Sequence, residues 1–343
     1  MRLAHVAFAL AALCAPAALA DAVEDFYKGK TITIVVGQAP PDQHDNDARA
    51  LQKTMGKYIP GNPAIIVQNM PGAGSLKAAQ YLATVAPKDG LMFGIVQRGI
   101  MMMPLLGYPD ATFDPTKLNF VGSRAPETSI TVLWHEAKAK NIRDAMRMEV
   151  VLGGAGAGAD SNTMPYIYNE TLGTKFRVVT GYEGGGAMNL AMERGETDGR
   201  AGWSVGAMRG THEDWWQDKR GNVILQHGLL PHPELPAAPR ARDLAKNEAD
   251  RALLDLFAKR TEIGFPVFAP PGIPPERIAA LREAYIKTMS DPAYLADAKA
   301  MQAEVAPLTG ARMDALIRDI YATPRAIVDR AKDILRAQGA ALN

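Results

Sequence analysis

The residues Thr31-Ile32-Thr33-Ile34-Val35-Val36 are β-branched at every position. Such a run reads as a buried strand. The residues after it make it the first strand of an α/β unit. Gly37 ends the run, a polar loop covers Gln38 to Asn46, and Ala48, Leu51, Met55 and Ile59 then recur at helical spacing. Pro60-Gly61-Asn62-Pro63 stops that helix. Ala64 to Val67 reads as a second strand, Lys77 to Ala86 as a second helix with Ala78, Ala79, Leu82 and Val85 on its apolar face, and Met92 to Val96 as a third strand. Strand-helix-strand-helix-strand predicts a mostly parallel sheet covered by helices, with a ligand crevice at the carboxyl ends of its strands.

The loop Asn69-Met70-Pro71-Gly72-Ala73-Gly74-Ser75 lies where a strand ends and a helix begins. Glycines there either offer backbone N–H groups to an anion or simply let the chain turn sharply. A second unit begins near Ile142. Glu149 to Leu152 and Phe176 to Val179 read as strands, running into the loops Gly153–Ser161 and Gly181–Gly186. Met188 to Glu193 is a short helix. Ile130 to Trp134 is a strand in a crossing near 120–135, and Asn222 to Gln226 a strand leading back to the first domain. Leu244 to Lys259, the segment opening at Pro275, and residues 311–323 and 326–337 read as helices, with Phe265 to Ala269 a short strand.

A chain of 343 residues exceeds what one core usually holds, so two domains are expected. Its 38 basic residues nearly cancel its 37 acidic ones, which leaves no electrostatic footprint for nucleic acid. The first twenty residues read as a secretory signal peptide: Arg2, an apolar run from Val6 to Leu13, then Ala18-Leu19-Ala20 before Asp21. The single cysteine, Cys14, lies inside that segment. The mature chain would then have no disulfide, thiol nucleophile or thiolate metal site.

Little else signals chemistry. Gly153 to Gly158 is dense in glycine but fails the dinucleotide spacing, and neither a phosphate-loop Lys-Ser/Thr nor a Gly-x-Ser-x-Gly elbow occurs. His44 with Asp42, Asp45 and Asp47 lacks calcium-loop spacing and reads as a helix cap rather than a metal site. His212, His227 and His232 read as ordinary. Ser75 or Ser161 with a distant histidine would make an exported hydrolase, the alternative to a non-catalytic solute trap. No catalytic residue, metal or cofactor is assigned.

The ordered set of motifs resembles the substrate-binding proteins of the tripartite tricarboxylate transporters, the Bug or TctC family. It comprises Ile32–Val36, Asp45-Asn46-Asp47-Ala48-Arg49, Asn69–Ser75, Pro87-Lys88-Asp89-Gly90, Gly154–Ser161, Gly181-Tyr182-Glu183-Gly184, Gly195-Glu196-Thr197-Asp198-Gly199 and Ala269-Pro270-Pro271-Gly272-Ile273-Pro274. The resemblance implies a two-lobed α/β periplasmic binding protein fold with the ligand cleft between lobes. Lobe 1 would be 21–125 and 227–343, lobe 2 would be 126–226, and 1–20 the leader. It implies a monomeric, non-enzymatic periplasmic receptor that hands a small carboxylate to membrane permease subunits. A solute-sensing accessory protein would share the whole ligand fold. Lobe 1 would grip one carboxylate through Gln38, His44, Asp45 and the loop Pro71, Gly72, Ala73, Gly74, Ser75. Lobe 2 would receive the other end through Gly158, Ser161, Tyr182 and Gly184, with Asp198 near the cleft. Where relatives commonly carry Gly-Gly in the first loop, this chain has Pro40-Pro41-Asp42. Proline lacks an N–H donor and Asp42 adds negative charge, so an atypical ligand is expected.

Overall fold

The computed structural model describes residues 21–40, 42–156, 159–339 and 342. The expected leader with Cys14, and also Pro41 and Gly158, lie outside the described residues. A helix at 21–27 (α1) leads into β1 (Thr31–Val36), α2 (Gln43–Thr54), β2 (Ala64–Asn69), α3 (Leu76–Thr84), β3 (Met92–Ile95) and β4 (Asn119–Ser123). There follow β5 (Ser129–Trp134), α4 (Ile142–Arg147), β6 (Val150–Gly153), α5 (Asp160–Leu172), β7 (Phe176–Val179), α6 (Gly185–Glu193), β8 (Gly199–Ser204), α7 (Val205–Thr211), α8 (Glu213–Gln217) and β9 (Gly221–His227). The chain ends with α9 (Glu248–Ile263), β10 (Val267–Ala269), α10 (Pro275–Met289), α11 (Pro292–Ala300), β11 (Leu308–Thr309), α12 (Gly310–Tyr321) and α13 (Arg325–Ala337). Among the described residues no helix is long and apolar enough to cross a membrane.

Two sheets result. The first has the order β11-β4-β10-β3-β1-β2 and the second β7-β6-β8-β5-β9. The β-branched run behaves as its composition requires. Ile32, Ile34 and Val36 belong to one core cluster with Ala48, Leu51 and Tyr285, while Val35 belongs to another with Leu76, Ala79 and Leu82. Both faces of β1 are therefore covered, as expected of a strand parallel to both neighbours.

The sheets are more mixed than the strand-helix order predicts, for a topological reason. In the first sheet β1 to β4 share one direction, and β10 and β11 oppose them. In the second, β6 to β9 share one direction and β5 opposes them. Strands β5 and β10 each follow a segment lining the cleft, Glu127 before β5 and Phe265 before β10. A strand that starts at the cleft must run away from it, whereas β1 to β4 and β6 to β9 run toward it. Asn222 to Gln226 does form a strand, at the edge of the second sheet beside β5. Strands β4, β8 and β11, which the sequence pattern does not predict, complete the two sheets.

Two segments connecting the sheets touch each other. Glu127 N–H donates to Thr261 O, and Phe265 N–H to Ser123 Oγ. Gly264 adopts φ +56, and a Cβ there would lie 1.8 Å from Ala125 O, so only glycine fits.

Candidate functional site

A cleft of about 460 Å³ opens at the carboxyl ends of the two sheets. Its first-lobe wall comes from the loops after β1 and β3. Asp42 is the N-cap of α2 and accepts from His44 N–H at 2.8 Å, which is the cap predicted for this polar loop. The same oxygen lies 2.7 Å from His44 Nδ1. Burial alone would lower the His44 pKa, but Asp42, helped by Asp47 and Glu127, outweighs it and raises the imidazole above its ordinary value. Burial would raise Asp42, and His44 with the capping N–H groups holds it below the usual carboxylate range.

Behind this wall stands Ser75. Gly72, Ala73, Gly74 and Ser75 all have positive φ, including the two residues with side chains. The strain places a fully buried hydroxyl where it donates to Gly37 O (3.2 Å) and accepts from Gln38 Nε2 (3.2 Å) and Gln97 N–H (3.3 Å). The glycine loop thus braces the ends of β1 and β3.

The second-lobe wall is built differently. Gly184, Gly185, Gly186, Met188 and Asn189 line it from the start of α6, Arg200, Gly202, Trp203 and Ser204 from β8, and Ala207, Thr211 and His212 from α7 and its end. Gly202 has φ +73, and a Cβ there would lie 2.5 Å from the Asp160 Cβ. Its lack of a side chain lets the start of α5 rest on β8.

That contact fixes the floor. Asp160 Oδ2 accepts from Arg98 Nε (3.3 Å) and Nη2 (3.1 Å), and its Oδ1 lies 2.9 Å from Arg260 Nη2. Arg98 Nη1 donates to Glu127 Oε2 at 3.0 Å. Two guanidinium and two carboxylate groups thus balance in a buried cluster joining β3, the crossing before β5, α5 and α9. Burial would raise the Asp160 pKa, yet Arg260 and Arg98 outweigh it and hold it low. A further arginine near the crossings, Arg124, pairs with Asp47 at 3.2 Å and stacks 4.1 Å over Phe265.

The predicted site residues divide accordingly. Gln38, His44, Ser161 and Gly184 line the cleft. Ser161 Oγ accepts from Ala155 N–H, so this hydroxyl shapes the loop after β6. Pro71, Gly72 and Ala73 are exposed outside the cleft lining, and Gly74 and Ser75 also lie off it, because Ser75 turns the loop's polar groups onto the strand ends. Asp45 faces inward and binds Arg49 Nε (2.8 Å) and Asn69 Nδ2 (2.9 Å). Asp198 accepts from Val151 N–H at 2.7 Å and ties β6 to the start of β8. Tyr182 packs near Gly153 rather than lining the cleft. His212, ordinary by sequence, lines it, and no local pattern marks Arg98, Asp160, Arg200 or Trp203. Neither Ser75 nor Ser161 is bonded to a histidine in these contacts. No group of three His, Cys, Asp or Glu side chains among the described residues is arranged to hold a metal ion.

Solved structures match this architecture. The periplasmic binding protein BugD superposes with a TM-score of 0.68 at 18% identity, covering 92% of this chain and 99% of its own. R. palustris Rpa4515 with adipate gives 0.67 at 17% identity, covering 88% and 97%. The chain has the fold of the periplasmic solute-binding proteins. MatC from Rhodopseudomonas palustris with bound malate shares that fold, at a TM-score of 0.65 and 19% identity over 89% of this chain and 99% of MatC. In sequence, the chain is 26% identical over 182 residues to a UPF0065 protein in the TAR-I ttuE-ttuC' intergenic region of Agrobacterium vitis. That alignment spans 51% of each chain, about half the length of the curated relative. No family model matches the chain.

Proposed function

We propose that the protein is an extracytoplasmic solute receptor that captures a small carboxylate-containing metabolite and delivers it to a tripartite tricarboxylate-type membrane transporter. The observation that carries this reading is the cleft itself. It lies at the carboxyl ends of both sheets, is walled by both lobes, and contains one buried guanidinium, Arg200, that no acidic side chain neutralises among the described residues. The solved relatives holding adipate and malate support an acid as ligand. The buried hydroxyls of Ser75 and Ser161, spent on backbone and amide groups, favour binding over hydrolysis.

The test is a thermal-shift and calorimetry panel of mono-, di- and tricarboxylates, amino acids and aromatic acids, each beside its neutral amide. Ligand at about a hundred times Kd adds about 2.7 kcal/mol to the native state and raises the unfolding midpoint. At least one acid should do so, without turnover, while its amide does not. Silence across all the acids would overturn the reading. Uptake of the identified acid should then require both this chain and its permease.

A further inference from the structure

Helix α6 opens on glycine alone. Gly184 is its N-cap and gives no side-chain cap, and Gly184, Gly185 and Gly186 all face the cleft. The unpaired N–H groups of a first helical turn carry partial positive charge. Beside them lies Arg200, 6% exposed, its guanidinium 4.8 Å over the Trp203 ring. Its Nη1 donates to Gly185 O at 3.2 Å and to Asn189 Oδ1 at 3.0 Å, while its Nε is buried without a partner. Arg98, Arg124 and Arg260 each have a carboxylate. Arg200 has none among the described residues, and burial lowers its pKa to about 9. A buried cation without a counter-ion is costly unless something supplies one.

The facing wall has the opposite character. Pro40 has no N–H to offer. The Gln38 amide nitrogen is spent on Ser75, and the Asp42 carboxylate stands at the lining with its side chain 36% exposed. His44 holds Asp42 Oδ1, so a second carboxylate of a ligand would meet the other oxygen of Asp42 there, and a donor would be welcomed by it.

We propose that the cleft selects a monocarboxylate whose far end carries hydrogen-bond donors, an ammonium or a hydroxyl. The carboxylate sits on Gly184–Gly186 and Arg200, and the donor end turns to Asp42. This rests on the receptor reading and narrows its ligand class.

Calorimetry with three matched series, α,ω-dicarboxylates, ω-amino acids and ω-hydroxy acids of three to six carbons, tests it. An amino or hydroxy acid should bind at least about tenfold more tightly than the dicarboxylate of equal length. Which of the two wins distinguishes an ammonium from a hydroxyl. Arg200→Gln should weaken the best ligand about tenfold or more, and Asp42→Asn should erase the preference over the dicarboxylate. Should Arg200→Gln fail to fold, Gly185→Ala serves instead, because its Cβ would lie 2.9 Å from Arg200 Nη1 and displace the guanidinium. It should weaken binding while circular dichroism stays native. Within these series three results overturn the proposal: a dicarboxylate that binds best, an Asp42→Asn variant that keeps the preference, or a folded Arg200 or Gly185 variant that binds undiminished. Binding by some other acid of the wider panel, with none from these series, would overturn the proposal and leave the receptor reading standing. Silence from every acid would remove both.

Discussion

The loops Asn69–Ser75 and Gly181–Gly186 look alike as sequence, each rich in glycine and each set between a strand and a helix. Their tasks differ. The first ends in a side chain, and Ser75 drives into the ends of β1 and β3, so the space its glycines create is filled by its own protein. The second ends in glycine throughout, and its helix start faces the cleft. Glycine therefore marks where a close approach occurs, and the next side chain decides whether the neighbouring strand or a ligand makes it.

The greatest expected effect tests the floor that joins the two walls. Asp160→Ala leaves Arg98 and Arg260 buried without their shared carboxylate and should cost about 3–5 kcal/mol in urea unfolding. A loss no larger than that of a surface change would mean that the walls stand independently. Next, Ser75→Ala removes three hydrogen bonds and should cost about 1–3 kcal/mol, since Gln38 and the Gln97 N–H lose a buried acceptor. An unchanged midpoint would show that the first loop is no brace.

The first wall and the floor also diverge with pH. His44, whose folded pKa is raised, contributes stability present below its unfolded pKa near 6.5 and lost as pH rises through the folded value. His227 ends β9 and is buried, within electrostatic reach of Arg260 and Asp160. Burial first, then Arg260, lowers its pKa to about 3. Its contribution is present above about 6.5 and is lost as pH falls toward 3, at most about 1.4 kcal/mol per unit. His227→Gln should flatten the acid side of a stability–pH curve, and His44→Gln the side above about 6.5. Curves that keep their slopes would remove these groups from the account. The smallest stability effect belongs to Gly186→Ala, where a Cβ meets nothing within 4 Å. Stability should move by no more than about 0.5 kcal/mol, while ligand affinity falls because the methyl group enters the cleft. A fall in stability comparable to that of Ser75→Ala would erase the distinction between the loops.

The local part of this design is readable along the chain. β-Branched runs, helical spacing and the Asp42 cap act over a few residues, and strands β1, β2, β3, β6 and β7 lie where those patterns put them. Strand β8 was hidden because its glycines, at 199 and 202, serve close contacts with β5 and α5 rather than strand propensity. The floor was hidden because Arg98 meets a carboxylate 62 positions away, and pairing at that range leaves no local pattern. Arg200 is a stronger case. What distinguishes it is that its partners among the described residues include no carboxylate, which becomes visible only in the fold. The reversed strands β5 and β10 follow from where the chain crosses between sheets, information that a count of strands and helices does not contain.

At Gly264 and Ala125 the two crossings meet with no clearance for a methyl group. Both connections therefore share one contact made by backbone rather than by side chains. A side chain at 264 would push both connections apart at once, at a position that also lines the cleft.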